Sequence, residues 1–221
     1  MITLYGFGQV HDKVIGETRD LRVRWALEET GLPYRVHGVD HTGGEHMSEA
    51  YGEKSCFNQI PTIDDGGFVL SESAAILLYL AEKSGRLMPP DLEGRTRVTQ
   101  WCFVAVATVE PPLAEIQMIH AFFGADKNRD RLEFLNQWAA RVLGGLEKRL
   151  AGREWIASAD FTVADILLTC VLREIRKTDL LESYPLLASY SARALARPAW
   201  TRALTSYAQM LGKNPADLGA A

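Results

Sequence analysis

Between Gln59 and Ile76 the chain reads QIPTIDDGGFVLSESAAI, and no other stretch restricts its local fold as closely. Thr62 to Ile63 and Phe68 to Leu70 are short β-prone runs separated by Asp64-Asp65-Gly66-Gly67, a strong hairpin signal, so the two runs are expected to pair antiparallel. Ser71-Glu72-Ser73 then precedes the apolar, helix-favouring AAILLYLAEK, which places hydroxyls where a helix N-terminus needs caps for its N–H groups. A helix should begin near Ser73. Its first N–H groups and the positive end of its dipole suit a carboxylate, while Glu72 offers an anionic partner for an ammonium. A ligand carrying both charges on one carbon, an α-amino acid, matches such a site. Pro61 opens the first run, where its missing N–H does no harm, and a prolyl bond at a tight turn is a cis candidate.

A chain of 221 residues is comfortable for two domains that each bury a core. Lys and Arg number 24 against 28 Asp and Glu, a net charge of −4, and no run of five basic residues occurs. Nucleic acid and anionic membranes are therefore disfavoured as partners, and a small molecule is expected. Met1 to Val10 lacks a basic start and an apolar core, and no apolar run approaches the roughly 18 residues of a membrane span, so the expected setting is cytoplasmic. The three cysteines, Cys56, Cys102 and Cys170, are far apart and odd in number, which suits a reducing compartment. His37, His41 and His46 flank Asp40 and Glu45, but the glycine-rich DHTGGEH has no helical spacing to aim ligands, and no metal is expected.

Ile2 to Phe7 alternates apolar residues as a first strand. Leu21 to Thr30 follows as an amphipathic helix stopped by Gly31 and Pro33, and Tyr34 to Val39 as a second strand. The resulting β–α–β unit, joined later by the hairpin, is thioredoxin-like in order. Gly85 to Leu92, GRLMPPDL, reads as a linker. Beyond it strand signals nearly vanish: residues 93–123, 131–150, 163–177 and 200–211 carry helical spacing, with a shorter piece at 186–196. The fold expected is α/β plus all-α: a thioredoxin-like domain over residues 1–84, a linker over 85–92 and a helical-bundle domain over 93–221. Pro111-Pro112 demands a kink or break, because each proline deletes a helix hydrogen bond. Thr162 and Asp165 form a capping box, with Phe161 poised to pack on Ile166.

Ile60-Pro61 and Glu72-Ser73 together resemble the glutathione-binding half of a glutathione S-transferase, of the bacterial, theta-like kind. In that family a cis-proline turn is preceded by a residue whose backbone pairs with the cysteinyl part of glutathione, and an acidic-Ser pair holds the γ-glutamyl end. The capping box at Thr162 resembles the start of the family's buried C-terminal core helix, which extends the likeness over almost the whole chain. Asn58 stands where the family often has glycine, and asparagine tolerates positive φ better than most replacements. Gln59, Lys54 and His46 are the candidates for the glycine carboxylate, which needs donors or positive charge.

The resemblance puts the glutathione thiol near the start of the first helix. A free thiol has a pKa of about 8.5, so ionising it below neutrality takes roughly 2 units, or about 2.7 kcal/mol. One hydrogen bond to a charged group contributes about 1.5–3 kcal/mol and a helix dipole about 0.3–1, which together suffice. Theta-like relatives place a serine, cysteine or threonine there, and counting back three residues from Leu21 gives Thr18. Arg19 is a rival by charge, and Tyr5 and His11 are further candidates. The plain alternatives are a helix cap for Thr18 and a solvated side chain for Arg19. Residues 10–17, VHDKVIGE, form an insertion before this point.

The resemblance implies a homodimer that transfers the glutathione thiolate to a small hydrophobic electrophile held against the helix carrying Trp101 to Pro112 and the stretch from Met118 to Phe123. Glutathione is then a substrate and no metal takes part. Two other readings share the same residues. One is a glutathione-dependent disulfide reductase or peroxidase, and the other is a glutathione-binding module without catalysis.

Overall fold

The computed structural model describes residues 1–218, which divide into two compact units: residues 1–87 together with 196–218, and residues 88–195. Strand β1 (Ile2–Gln9) is followed by helix α1 (Asp20–Thr30), strand β2 (Tyr34–Asp40) and a one-turn helix α2 (Glu49–Gly52). The hairpin β3 (Thr62–Asp65) and β4 (Phe68–Ser71) then leads into helix α3 (Ser73–Ser84). The sheet order is β2-β1-β3-β4, with β1 and β2 parallel and the other neighbours antiparallel, as the β–α–β order and the Asp-Gly-Gly turn predict. Gly66 and Gly67 make that turn at φ +66° and +96°, values that glycine reaches without a Cβ clash. Gly31 closes α1 at φ +73°, donating its N–H to Leu27 O.

At the far end of β1 the chain needs glycine for a different reason. A Cβ on Gly8 would lie 2.7 Å from the carbonyl carbon of Gly38, and one on Gly38 would lie 2.9 Å from both Gly8 Cα and Met210 Sδ. The β1–β2 register shifts between Phe7 and Gln9, and the two backbones close up beside that irregularity.

The second unit is helical: α4 (Leu92–Phe103), α5 (Glu110–Met118), α6 (Arg129–Leu150), α7 (Val163–Arg173) and α8 (Pro185–Leu195). Pro111 and Pro112 do not end the helix. Residues 104–109 widen into a π turn between α4 and α5, which shifts the hydrogen-bond pattern just where two N–H groups are missing. Read as separate apolar runs, this region falls short of a membrane span. Taken as one helix over 92–123, it is long and apolar enough by length and composition. Its buried positions Val98, Cys102, Ala105, Val109, Leu113 and Ile116 recur at three- and four-residue steps and pack against α6 and α7, the pattern of a core helix.

Helix α7 stops at Arg173 rather than running to Lys177, because Glu174, Ile175 and Arg176 make tighter bonds to the carbonyls of Val171, Leu172 and Arg173. The capping box at its start is formed, and buried Asp165 also accepts from Ile156 N–H and the Tyr190 hydroxyl, each at 2.9 Å. Phe161 meets Trp155 edge to face at 4.9 Å.

The last helix, α9 (Pro198–Met210), groups with the first unit rather than with the helices that precede it in sequence. It lies along α1. Trp200 packs on Trp25 at 4.9 Å, Arg197 makes a bidentate pair with Glu29 at 2.6 and 2.8 Å, and Arg202 Nε reaches Glu28 at 2.7 Å. Helix α1 is consequently not the half-exposed amphipathic helix its sequence suggests. Every residue from Asp20 to Leu27 is buried, Arg22 and Arg24 included, because α9 covers the face left open by the sheet and α3.

Candidate active site

Strand register assembles the site. Tyr5 pairs with Thr62, and Thr62 pairs with Ser71, so Gly6, Pro61 and Glu72 are the next residues at one end of three adjacent strands. Neighbouring strands lie about 4.8 Å apart, so these positions span roughly 10 Å, the scale of a tripeptide. The Ile60-Pro61 bond is cis. The ladder of β3 begins only at Thr62, which leaves the Ile60 backbone outside it. Upstream, Asn58 adopts φ +54°, and the turn is tied down by Gln59 N–H to Ser55 Oγ at 3.0 Å and the Tyr51 hydroxyl to Gln59 O at 3.0 Å.

Glu72 occupies the N-cap of α3 at φ +69° and ψ 109°, with its side chain exposed and making no capping bond. A glutamate gains nothing locally from that conformation, which costs of the order of 1–3 kcal/mol, and such residues collect at ligand sites. The first N–H groups of α3, which follow Glu72 directly, have no partner inside the helix. Buried Ser73 follows, and its hydroxyl accepts from Arg22 Nη1 of α1 at 3.4 Å.

The start of α1 meets the same end of the sheet. Phe7 N–H donates to Asp20 Oδ2 at 3.2 Å, and Gly6 is required beneath it, since a Cβ there would lie 2.8 Å from that oxygen. Asp20 and Arg24 are both fully buried and form an ion pair at 3.2 Å. The Thr18 hydroxyl donates to Asp20 Oδ1 at 2.7 Å and lies 2.9 Å from the hydroxyl of Tyr207 on α9. Thr18 O also accepts from Leu21 N–H, so the residue sits one turn ahead of α1 without capping it through its side chain. Arg19 is the N-cap itself and is exposed.

The remaining candidates separate by face. Strand alternation turns Tyr5 and Phe7 to the side opposite Gly6 and α1. There the Lys54 ammonium lies 5.5 Å over the Tyr5 ring, and Tyr5 packs against Tyr51, which holds the Gln59 carbonyl. Lys54 and Gln59 thus share one aromatic patch. His46 stacks on His41 at 4.2 Å, and His41 in turn meets Phe7 at 5.4 Å. Burial, and then the neighbouring His46, hold His41 below the usual histidine pKa. His11 caps its own short turn by accepting from Lys13 N–H. Among the described residues, no group of three or more His, Cys, Asp or Glu side chains is arranged to hold a metal. Cys102 is buried in the second unit, where its thiol is pushed up to about 12 by desolvation.

Sequence reading missed Asp20, Arg24 and Tyr207. The first two carry a local signal, opposite charges at i and i+4 on an otherwise apolar helix. Tyr207 carries none, being 189 residues from its partner Thr18.

A four-stranded mixed sheet with a cis-proline turn and a helix N-terminus at one end defines a thioredoxin-like fold, here followed by a helical unit. Comparison with known proteins agrees across the chain. Residues 21–83 match the family model for the glutathione S-transferase N-terminal domain, and residues 115–206 the model for its C-terminal domain. The chain belongs to the glutathione S-transferase family. It is similar to glutathione S-transferase theta-2 of Mus musculus, with 30% identity over 147 residues, 63% of this chain and 60% of that protein's length. Similarity to the disulfide-bond oxidoreductase YfcG of Escherichia coli is 33% over 187 residues, covering 80% of this chain and 86% of the relative. Among solved structures, a glutathione transferase family member from Pseudomonas fluorescens Pf-5 with two glutathione molecules bound superposes with a TM-score of 0.81 at 32% identity, covering 91% of each chain.

Proposed function

We propose that this chain binds glutathione at the end of the sheet and conjugates it, through its thiolate sulfur, to a small hydrophobic electrophile. The observation that carries the reading is the strained Glu72 at the N-terminus of α3. Its carboxylate takes the γ-glutamyl ammonium, and the first N–H groups of α3 with the Ser73 hydroxyl take the α-carboxylate. The Ile60 backbone pairs with the cysteinyl unit, and Gln59, with Lys54 and His46 further out, serves the glycine carboxylate. Thr18, or Arg19 by its charge, stabilises the thiolate at the start of α1. The reading also takes the chain to be a homodimer, which sedimentation would test.

A disulfide-reducing role is the second reading. It is favoured by the likeness to YfcG and by the two glutathione molecules of the Pseudomonas structure, since a second thiol can resolve the mixed disulfide formed when the first attacks a disulfide substrate, giving oxidised glutathione and the substrate thiol.

Calorimetric titration with glutathione near neutral pH, in two buffers of different ionisation enthalpy, tests binding and ionisation together. Binding with proton release is expected, and Glu72→Gln should weaken it about 10- to 100-fold, the loss of one charge-assisted hydrogen bond. Unaltered affinity in Glu72→Gln would reject the site. Turnover of a generic aromatic electrophile, set beside reduction of a glutathione mixed disulfide, separates the two chemistries.

A further inference from the structure

We propose that Tyr207 is a positioning residue for ionisation of the glutathione thiol, acting through Thr18; this rests on the glutathione reading above. The hydrogen bonds around Thr18 run in one direction. A carboxylate only accepts, so the Thr18 proton points to Asp20 Oδ1 at 2.7 Å. The 2.9 Å contact between the two hydroxyls is then made by the Tyr207 proton, and the Tyr207 oxygen accepts from Gly16 N–H at 3.3 Å. Gly16 N–H, Tyr207 O–H and Thr18 O–H form a relay that ends on a buried carboxylate held by Arg24 and Phe7 N–H.

Two consequences follow for the thiol. A threonine hydroxyl has one proton and two acceptor positions, and Tyr207 fills one of the latter. Without that filling, the Thr18 oxygen would be a better acceptor for S–H, which favours the thiol over the thiolate. With it, the donating Tyr207 hydroxyl polarises Thr18 and makes its proton a stronger donor, by the cooperativity of chained hydrogen bonds. When a thiolate arrives, the Thr18 proton swings from Asp20 to sulfur, and Asp20 keeps its bonds from Phe7 and Arg24. No covalent bond is made or broken in this step.

Tyr207 is suited to the task because it stays protonated. It is fully buried, and desolvation, followed by the charge of Asp20, holds its phenol well above the usual tyrosine pKa. Arg24 lies 5.7 Å over its ring and bonds Ser206 one residue away, which fixes the ring independently of its hydroxyl. The Tyr207→Phe variant therefore removes the O–H while leaving the ring's packing partners.

The test is an ultraviolet pH titration of the bound glutathione thiolate, with S-methylglutathione affinity as the measure of an intact site. In Tyr207→Phe the thiol pKa should rise by about one unit, the worth of one ordinary hydrogen bond. Affinity for S-methylglutathione should not change. Thr18→Val should raise it at least as far, and adding Tyr207→Phe to it should cause no further rise. If Tyr207→Phe fails to fold, 3-fluorotyrosine at position 207 keeps the shape and strengthens the donor, and the thiol pKa should then fall. An unmoved thiol pKa in either Tyr207 variant overturns the inference alone. Additive shifts in the double variant overturn it too, because they mean Tyr207 does not act through Thr18. A wild-type protein that binds neither glutathione nor S-methylglutathione overturns it together with the glutathione reading.

Discussion

Arg22 Nη1 lies 3.4 Å from Ser73 Oγ, and both groups are buried, so the first turns of α1 and α3 are joined beneath the end of the sheet. The hydroxyl proposed to receive a ligand carboxylate is thus held by a cation from the helix proposed to face the thiol. Ser73→Ala should lower stability by about 1 kcal/mol and weaken glutathione binding about 3- to 10-fold, while Ser73→Thr should restore both. Denaturant unfolding and calorimetry measure the two effects. Equal affinity in Ser73→Ala would remove Ser73 from the site.

The Asp20–Arg24 pair is fully buried, so breaking it from one side strands a charge. Asp20→Ala should destabilise the protein by about 3–5 kcal/mol, whereas replacing both residues with apolar ones should cost much less. Urea midpoints for the single and double variants decide this. A single variant as stable as the wild type would show that the pair is not the buried unit described.

Close backbone approach makes a sharper contrast between glycines. Gly8→Ala places a methyl 2.7 Å from the Gly38 backbone and should cost about 1–3 kcal/mol. Gly144→Ala, on α6 with nothing within 4 Å of the new Cβ, should instead stabilise by about 0.5–1 kcal/mol. Thermal melts of the two variants should move in opposite directions.

His41, stacked on His46, carries a pH dependence of known sign. Because His41 is held below its unfolded pKa, the unfolded chain binds the proton more readily. Stability from this group is complete above the unfolded value of about 6.5 and is lost as pH falls from there through the folded pKa. His46→Gln removes one contributor, so its melting temperature should fall less than that of the wild type between pH 7 and pH 5. Parallel curves would assign the effect elsewhere.

Much of this was legible in the sequence where the signal is local. The hairpin at Gly66-Gly67, the positive φ at Asn58, the start of α3 at Ser73 and the box at Thr162 each depend on residues within a few positions of one another. The partners of Thr18 were not legible, since Tyr207 meets it across 189 residues and only after α9 has docked on α1. Burial of Arg22 and Arg24 was hidden for the same reason: charged residues read as a solvent face until another helix is known to cover it. Nor did composition indicate that the kink or break expected at Pro111-Pro112 would be met by a π turn within a continuing helix.

Placing α9 with the first unit has a consequence for how the protein is made. The unit bearing the proposed site takes in residues 1–87, yet its final helix is encoded after residues 88–195. At synthesis rates of about 5–20 residues per second, α1 waits roughly 9–36 s before the helix that packs on Arg24 is complete. A chain released before Tyr207 would carry every residue of the cis-proline turn and still lack the hydroxyl that meets Thr18, so the proposed site is completed only once α9 has been made.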